Sequence, residues 1–516
     1  DAMIFDASTL QLPLTMEADL VVIGSGAGGM AAATAAAEAG LDVLVLESGA
    51  FVPPSTMNQR ETDMLPQLLQ ANGGQTTADR AIKIHQGRAV GGSTVHNINL
   101  CARIPAPIRA EWAREHGLEH LPPARWDALY AEVERMLAVS LVDASRRNAH
   151  NQLLADGAAA LGWEWGALKH NRTGCVGSGF CLLGCAFDAK NNAPKVLMPR
   201  LLAARGQILS RCQAVRVTHA RGQVTGVDAV ALDPVHRRPL GRVLVRAPRV
   251  CVSASATGTA AILLRSEIPE PSGLTGRTLR IHPAPVAAGE FGQDVRAWEG
   301  IPQTVECTEH LDFAAAHPPD GSGDVGPGNR TWIVPAFAHP VGTATMVPGW
   351  GAAHRSLMER YPRLAVFTPM IHDLSAGRVR PQGDLGLRID YTPNAADRAE
   401  IAFGVAASAR LLFAAGATSV FVPAGGLREL GPNDDLDALQ EAIAADPPEL
   451  TAVHPMGSVP MGDDPKRAPV GSDGKHHHIG GLWVADGSLF PTSIGVPPQV
   501  SIYAMGLHVG RAIASA

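Results

Sequence analysis

Asp19-Leu20-Val21-Val22-Ile23-Gly24-Ser25-Gly26-Ala27-Gly28-Gly29 is the stretch whose reading decides the fold. Four apolar residues after Asp19 predict a short strand buried on both faces, and residues 30–40, alanine-rich and stopped by Gly40, predict a helix. Asp42-Val43-Leu44-Val45-Leu46-Glu47 predicts a second strand, so residues 19–47 read as one βαβ unit of a parallel sheet. Gly24, Gly26 and Gly29 fit the dinucleotide fingerprint G-x-G-x-x-G. The first glycine permits the tight turn, the second lets a pyrophosphate approach the backbone, and the third lets helix and strand pack closely. The phosphates would rest on the helix N-terminus, where free N–H groups and the dipole favour negative charge. Glu47, eighteen residues after Gly29, is placed to accept from ribose hydroxyls. The fingerprint serves NAD and FAD alike.

Residues 20–37 carry no charge, long enough to raise the question of a membrane span. Four glycines interrupt the run and Asp19 precedes it where a signal peptide would be basic, so a strand, turn and helix of a soluble protein account for it. The 46% hydrophobic and 18% charged residues match a globular chain, and 516 residues exceed one compact core, which predicts two domains. A net charge of −6 without a long basic run argues against nucleic acid as a partner. Seven scattered cysteines, an odd number, do not form a secreted disulfide framework; a reducing, cytoplasmic setting is expected.

Outward from the βαβ unit, Gly87-Arg88-Ala89-Val90-Gly91-Gly92-Ser93-Thr94-Val95-His96-Asn97 is a second glycine site, whose small residues can wrap backbone against a flat or anionic ligand. Helical periodicity covers 123–138 and 148–161, and residues 395–414 read as an amphipathic helix. Strand-like runs occupy 214–217, 224–231, 243–245 and 249–253. Alternating segments at 284–291, 332–337, 364–370 and 387–391 predict an antiparallel sheet. The expectation is an α/β protein: a Rossmann-like domain from residues 1–104, 196–283 and 447–516, with an inserted α+β substrate domain, 105–195 and 284–446, built on the antiparallel sheet.

The C-terminal region adds His454-Pro455-Met456-Gly457, Asp486-Gly487-Ser488 and Pro497-Pro498-Gln499-Val500. The order of these motifs after Gly24–Gly29, Glu47, residues 87–97 and Ser253-Ala254-Ser255-Ala256-Thr257-Gly258 resembles the glucose–methanol–choline (GMC) oxidoreductase family over nearly the whole chain. The Gly-Gly-Ser-Thr-Val-His-Asn wording and the cysteine-rich residues 174–190 are most similar to its long-chain alcohol oxidase-like branch. The resemblance implies FAD and not NAD, with Gly91, Gly92, Ser93, His96 and Asn97 along the flavin, and Val215 meeting the adenine by its backbone. It places Asp486 and Gln499 near the ribityl and pyrimidine end, with Pro498 at the entry to the last helix. His454 resembles the family's catalytic base: a neutral imidazole in reach of an alcohol hydroxyl assists hydride transfer by about 10²–10⁴-fold.

Two departures accompany the resemblance. A second His or Asn opposite the base is usual, and Pro497 stands there, with no polar side-chain atom. His96 matches a position that some relatives similar to choline oxidase bond covalently to flavin, and a histidine packed beside a noncovalent flavin is the expectation here. Cys175, Cys181 and Cys185 resemble in spacing the flavin dehydrogenase subunits that carry a 3Fe-4S cluster; a disulfide between two of them, or buried free thiols, are the competing readings. His476-His477-His478 reads as a solvated loop. The function implied is oxidation of a hydrophobic alcohol by an FAD-dependent oxidase or dehydrogenase, with oxygen, an electron-accepting protein or a quinone taking the electrons. A hydroxynitrile-lyase-like enzyme with structural FAD is the alternative.

Overall fold

The computed structural model describes residues 3–318, 326–337, 339–347 and 349–516. Residues 19–47 form strand Leu20–Ile23, helix Ala27–Glu38 and strand Val43–Leu46, the two strands being parallel with Leu20 opposite Val43. Around them a six-stranded sheet is assembled in the order Ile4–Asp6, Gln207–Ser210, Val43–Leu46, Leu20–Ile23, Val250–Val252 and Leu482–Val484. Every neighbouring pair is parallel, so each join demands a crossover, and the strands come from stretches hundreds of residues apart. Helix Ala27–Glu38 packs against this sheet on one side and the C-terminal helix Gln499–Ser515 on the other. That position explains the uncharged run: the strand is wholly buried, and so is most of the helix. Among the described residues no helix is long and apolar enough to cross a membrane.

The strand-like runs between 212 and 246 join a separate four-stranded sheet, ordered Cys212–Ala220, Gln223–Leu232, Pro239–Arg246 and Leu14–Glu17. The expected antiparallel sheet is present with seven strands, in the order Leu427–Leu430, Ser419–Pro423, Ala287–Glu290, Leu364–Ile371, Thr331–Pro335, Val305–Cys307 and Trp165–Ala167. One predicted strand lies elsewhere: Gly386–Asp390 pairs with Arg378–Gln382 in a two-stranded hairpin. Asp390 there is ion-paired with both Arg380 and Arg388, which suits solvent on that face, while Ile389 between them is buried.

Helix Ala395–Ala414 differs from its expected one-sided character. It packs on the seven-stranded sheet, and also on helices Ala149–Leu161 and Leu436–Ala445, so apolar residues are buried around most of its circumference. The sheet itself divides by the period of two: Ala365 and Phe367 join the core shared with this helix, whereas Leu364, Val366, Thr368 and Met370 line a cavity on the opposite face. The molecule is therefore α/β, a Rossmann-like parallel sheet beside an α+β part built on an antiparallel sheet.

Candidate active site

One cavity of about 1240 Å³ joins the glycine turns to the apolar sheet face. Ligand pockets of about 300–1,000 Å³ hold a drug-sized molecule, so this one has room for a dinucleotide and a second ligand. Gly24 and Gly26 of the first turn border it, and Gly26 caps helix Ala27–Glu38 without a side-chain hydrogen bond. Gly29 does not border it; a Cβ there would lie 2.0 Å from the Gly24 carbonyl oxygen, which is the close helix–strand approach expected of the third glycine. Glu47 borders the cavity and accepts from the Ser25 N–H at 3.1 Å, the Ser25 hydroxyl at 2.6 Å and the Gly49 N–H at 2.8 Å. It therefore braces the glycine turn as well as facing the ligand space.

The second glycine site closes over the first. Gly91 has φ +101° and donates its N–H to the Ser25 hydroxyl at 2.9 Å, lying behind the cavity wall. Gly92, with φ +54°, approaches so closely that a Cβ would stand 2.8 Å from the Cα of Gly26. Ser93, His96 and Asn97 border the cavity. His96 is buried, its Nε2 has no partner among the described residues, and burial, with Lys190 and His85 adding repulsion, pushes its pKa down to about 3. Asn97 donates to the Gln499 side-chain oxygen at 2.9 Å, and Gln499 donates to the Leu100 carbonyl at 2.6 Å. Pro498 and Gln499 border the cavity at the start of the last helix. Asp486 borders it too, accepting from the Thr259 hydroxyl at 2.6 Å and the Ser488 N–H at 2.9 Å. Burial raises its pKa although those bonds pull the other way. Val215 lies at a bulge outside the cavity lining, its carbonyl accepting from Arg265 at 3.1 Å; Cys212, Gln213 and Ala214 are the lining residues of that strand.

His454 follows strand Leu450–Ala452, and the chain then turns at Gly457, φ +81°. Residues 280–284 run antiparallel beside 451–456: Arg280 and Met456 exchange both backbone hydrogen bonds at 2.8 Å, and Ala284 bridges Thr451. This alignment sets His282 against His454, with the two Nδ1 atoms 3.0 Å apart and the rings edge-on at 89°. His454 borders the cavity, and among the described residues its Nε2 has no partner. Its pKa is held well below the usual histidine value by burial, and further by His282. Pro497 borders the same cavity and offers no polar side-chain atom there.

Sequence reasoning missed His282, 2% exposed and 172 residues from its partner. A signal exists in hindsight: His282-Pro283 repeats the His454-Pro455 dipeptide. His85, half-buried at the cavity wall near His96, was missed as well.

Two expectations are corrected. Cys175, Cys181 and Cys185 are free thiols around a separate cavity of about 20 Å³, and among the described residues no group of three or more His, Cys, Asp or Glu is arranged to hold a metal ion. The sulfurs of Cys175 and Cys185 instead accept backbone N–H bonds from Gly177 and Ala189, and Lys190 is spent on the carbonyls of Val95, Asn97 and Cys181. The expectation of an iron–sulfur cluster thus finds no support in this geometry. His476, His477 and His478 are not a solvated loop: His476 is 3% exposed, and His477 and His478 bond the carbonyls of Gly462 and Pro465. Their rings tie the loop to backbone.

Comparison with known proteins agrees with this architecture. The chain is 34% identical over 505 residues to an uncharacterized GMC-type oxidoreductase of Mycobacterium tuberculosis, covering 96% of this chain and 76% of that one. It is 26% identical to a long-chain-alcohol oxidase of Arabidopsis thaliana, over 97% of this chain and 67% of the relative. Among solved structures, pyridoxine 4-oxidase from Mesorbium loti superposes with a TM-score of 0.68 at 18% identity, covering 96% of this chain and 98% of that one. Formate oxidase of Aspergillus oryzae, in a structure described as concerning FAD modification, gives a TM-score of 0.67 at 14% identity, covering 97% and 98%. The GMC oxidoreductase models match residues 27–284 and 373–506, and the chain belongs to the GMC oxidoreductase family.

Proposed function

We propose that the chain oxidises a hydrophobic alcohol to the aldehyde or ketone with bound FAD, and that His454 handles the hydroxyl proton. The observation that carries this reading is one continuous cavity bordered by both glycine turns, by His454 and by an apolar sheet face. The residues present fit FAD. The Gly26–Gly92 approach leaves a cradle that a Cβ would fill, and His96, whose buried Nε2 has no partner among the described residues, borders the same space. Gly24, Gly26, Glu47, Gly92, Ser93, His96, Asn97, Asp486, Pro498 and Gln499 would hold the cofactor, with Gly29, Gly91 and Val215 shaping the backbone behind it. When bound, FAD supplies the hydride acceptor at N5.

The chain's own residues do the rest. Leu364, Val366, Met370 and Phe421 give the substrate an apolar wall, which favours an alkyl or aryl alcohol over a sugar. His454, neutral near pH 7 because its pKa is depressed, brings a ring nitrogen to the hydroxyl. With Pro497 opposite, His454 serves the hydroxyl without a second polar side chain from that position. Relatives named as alcohol oxidases support oxygen as the electron acceptor.

The test is anaerobic mixing of the holoenzyme with long-chain primary alcohols while following flavin absorbance. Bleaching of the flavin, and peroxide on admitting air, is the expected result. Absence of bleaching with every alcohol tried, together with cleavage of a cyanohydrin, would replace this reading with the lyase one.

A further inference from the structure

The hydrogen bonds behind His454 decide which of its nitrogens carries the proton. The backbone N–H of Gly495 can only donate, and it donates to Nε2 of His282 at 2.9 Å. Nε2 of His282 is therefore an acceptor, and the neutral ring holds its proton on Nδ1. That proton lies on the 3.0 Å line to Nδ1 of His454, which is the acceptor in turn. A neutral His454 accepting at Nδ1 carries its own proton on Nε2, the nitrogen left for the cavity.

Both rings are neutral at working pH. Burial pushes His282 down to about 3 and holds His454 low. No carboxylate bonds either ring among the described residues. The nearest charged and titratable groups are committed elsewhere. Asp373 accepts the backbone N–H groups of Ile281 and His282 at 3.1 and 3.2 Å and the Tyr391 hydroxyl at 2.7 Å. Arg280 bonds the Ser375 carbonyl at 2.6 Å. His372 bonds Ser493 and His317, and His317 pairs with Glu111. The placement of His282 is itself held against strain: its φ is +51°, in the left-handed region, and Asp373 fastens that turn through both N–H groups.

We propose that His282 is a positioning residue that fixes the tautomer of His454, so that His454 first meets the substrate oxygen with an N–H and not with a lone pair. The inference rests on the reading of His454 given above and adds a condition to it. In the resting pair His454 donates to the hydroxyl oxygen and stabilises negative charge on it. For Nε2 to take the hydroxyl proton, its own proton must leave to solvent and the inner proton must shift from Nδ1 of His282 to Nδ1 of His454. His282 must then gain a proton on Nε2, directly opposing the Gly495 N–H. His282 and Gly495 together therefore set how often His454 is a base.

Two variants of equal size separate donor from acceptor behind His454. In H282Q the amide N–H can donate to Nδ1 of His454 while the amide oxygen accepts from Gly495, which preserves the resting tautomer. In H282E both oxygens accept, which moves the His454 proton to Nδ1, exposes a lone pair at Nε2 and raises the His454 pKa towards neutrality. The measurements on holoenzyme are the 15N shifts of the His454 ring in [15N]histidine-labelled protein, assigned by their loss in H454N, and kcat/KM against pH. Wild type and H282Q are expected to show Nε2–H and a profile of the same shape. H282E is expected to show Nδ1–H, a new acid limb and a change in kcat/KM of about tenfold or more. A wild-type His454 protonated on Nδ1, or an H282E protein matching wild type in both readouts, overturns the proposal while leaving His454 catalytic. Full turnover by H454N sinks the active-site reading instead, and the ring shifts still report the tautomer. If H282E does not fold, the wild-type and H282Q shifts decide alone.

Discussion

His454 is the residue on which most of the proposed chemistry turns, and its replacement separates catalysis from folding. His454→Asn keeps a polar side chain of smaller size and removes the ring that reaches both His282 and the cavity. We expect flavin reduction by alcohol to slow by about 10²–10⁴-fold while bound FAD is retained, measured by anaerobic stopped flow and by the flavin spectrum. Gly92→Ala acts on the other function. Its Cβ would meet the Gly26 Cα at 2.8 Å, and φ +54° adds strain, so flavin retention should fall with alcohol chemistry intact in whatever holoenzyme forms. An unchanged FAD affinity in that variant would remove the close approach of the two glycine turns from the binding account. At this scale the sequence was legible where chemistry is local. Gly24 and Gly26 announce themselves by spacing and neighbours, Asp486 and Gln499 by the family resemblance, and all four border the cavity. His282 does not, because its meaning depends on a backbone N–H 213 residues away and a ring 172 residues away. The cysteine trio is the opposite case: a tidy spacing for which no metal-holding group is found among the described residues, and two of whose sulfurs accept ordinary N–H bonds.

Between elements, the parts that fold regularly were readable and their partners were not. The βαβ unit, the strand runs after 212 and the long helix all follow from periodicity, yet nothing in residues 4–6 indicates that they pair with 207–210. Helix Ala395–Ala414 illustrates the limit, since six elements from separate parts of the chain pack against it. Its first turn carries a fully buried ion pair. Arg330, fully buried, bonds Asp397 at 2.6 Å and the His372 carbonyl at 2.9 Å, and Asp397 also accepts from the backbone N–H of Ser375 at 2.8 Å. Asp397→Ala leaves a buried guanidinium without its partner and should cost about 3–5 kcal/mol. Chemical denaturation measures it, and a loss below about 1 kcal/mol would mean that water or Glu400 takes over the charge. The contact between helices Ala27–Glu38 and Gln499–Ser515 gives a second test. A Cβ on Gly510 would lie 2.5 Å from the Ala32 carbonyl oxygen, so Gly510→Ala must push the helices apart, at about 1–3 kcal/mol. Because the last helix begins at Gln499 and the first at the glycine turn, that variant should also loosen FAD.

For the molecule as a whole, buried histidines set the response to acid. Burial pushes His96 and His282 down to about 3, and His150, His476 and His508 down to about 4, from an ordinary value of 6.5. Each is neutral in the folded chain and protonates near 6.5 once unfolded, so the unfolded state binds more protons below that pH. The stability these groups provide is complete above about pH 6.5 and is lost as pH falls from there towards 3 to 4, each contributing a slope of up to about 1.4 kcal/mol per pH unit. Asp486, Glu306 and Glu400 work the other way, since burial raises their pKa values and the folded state takes their protons more readily. Three carboxyls oppose the five histidines, so the histidines outnumber them and set the sign of the change as pH falls below about 6.5. Melting temperature should therefore be level from pH 8 to 7 and fall steeply below 6.5. His96 borders the cavity proposed to hold flavin and His282 lies behind the proposed base His454, so flavin release should accompany that fall and not lag behind it. A melting temperature that stays constant or rises between pH 7 and 5, with flavin still bound, would show that these rings are not held neutral by the fold.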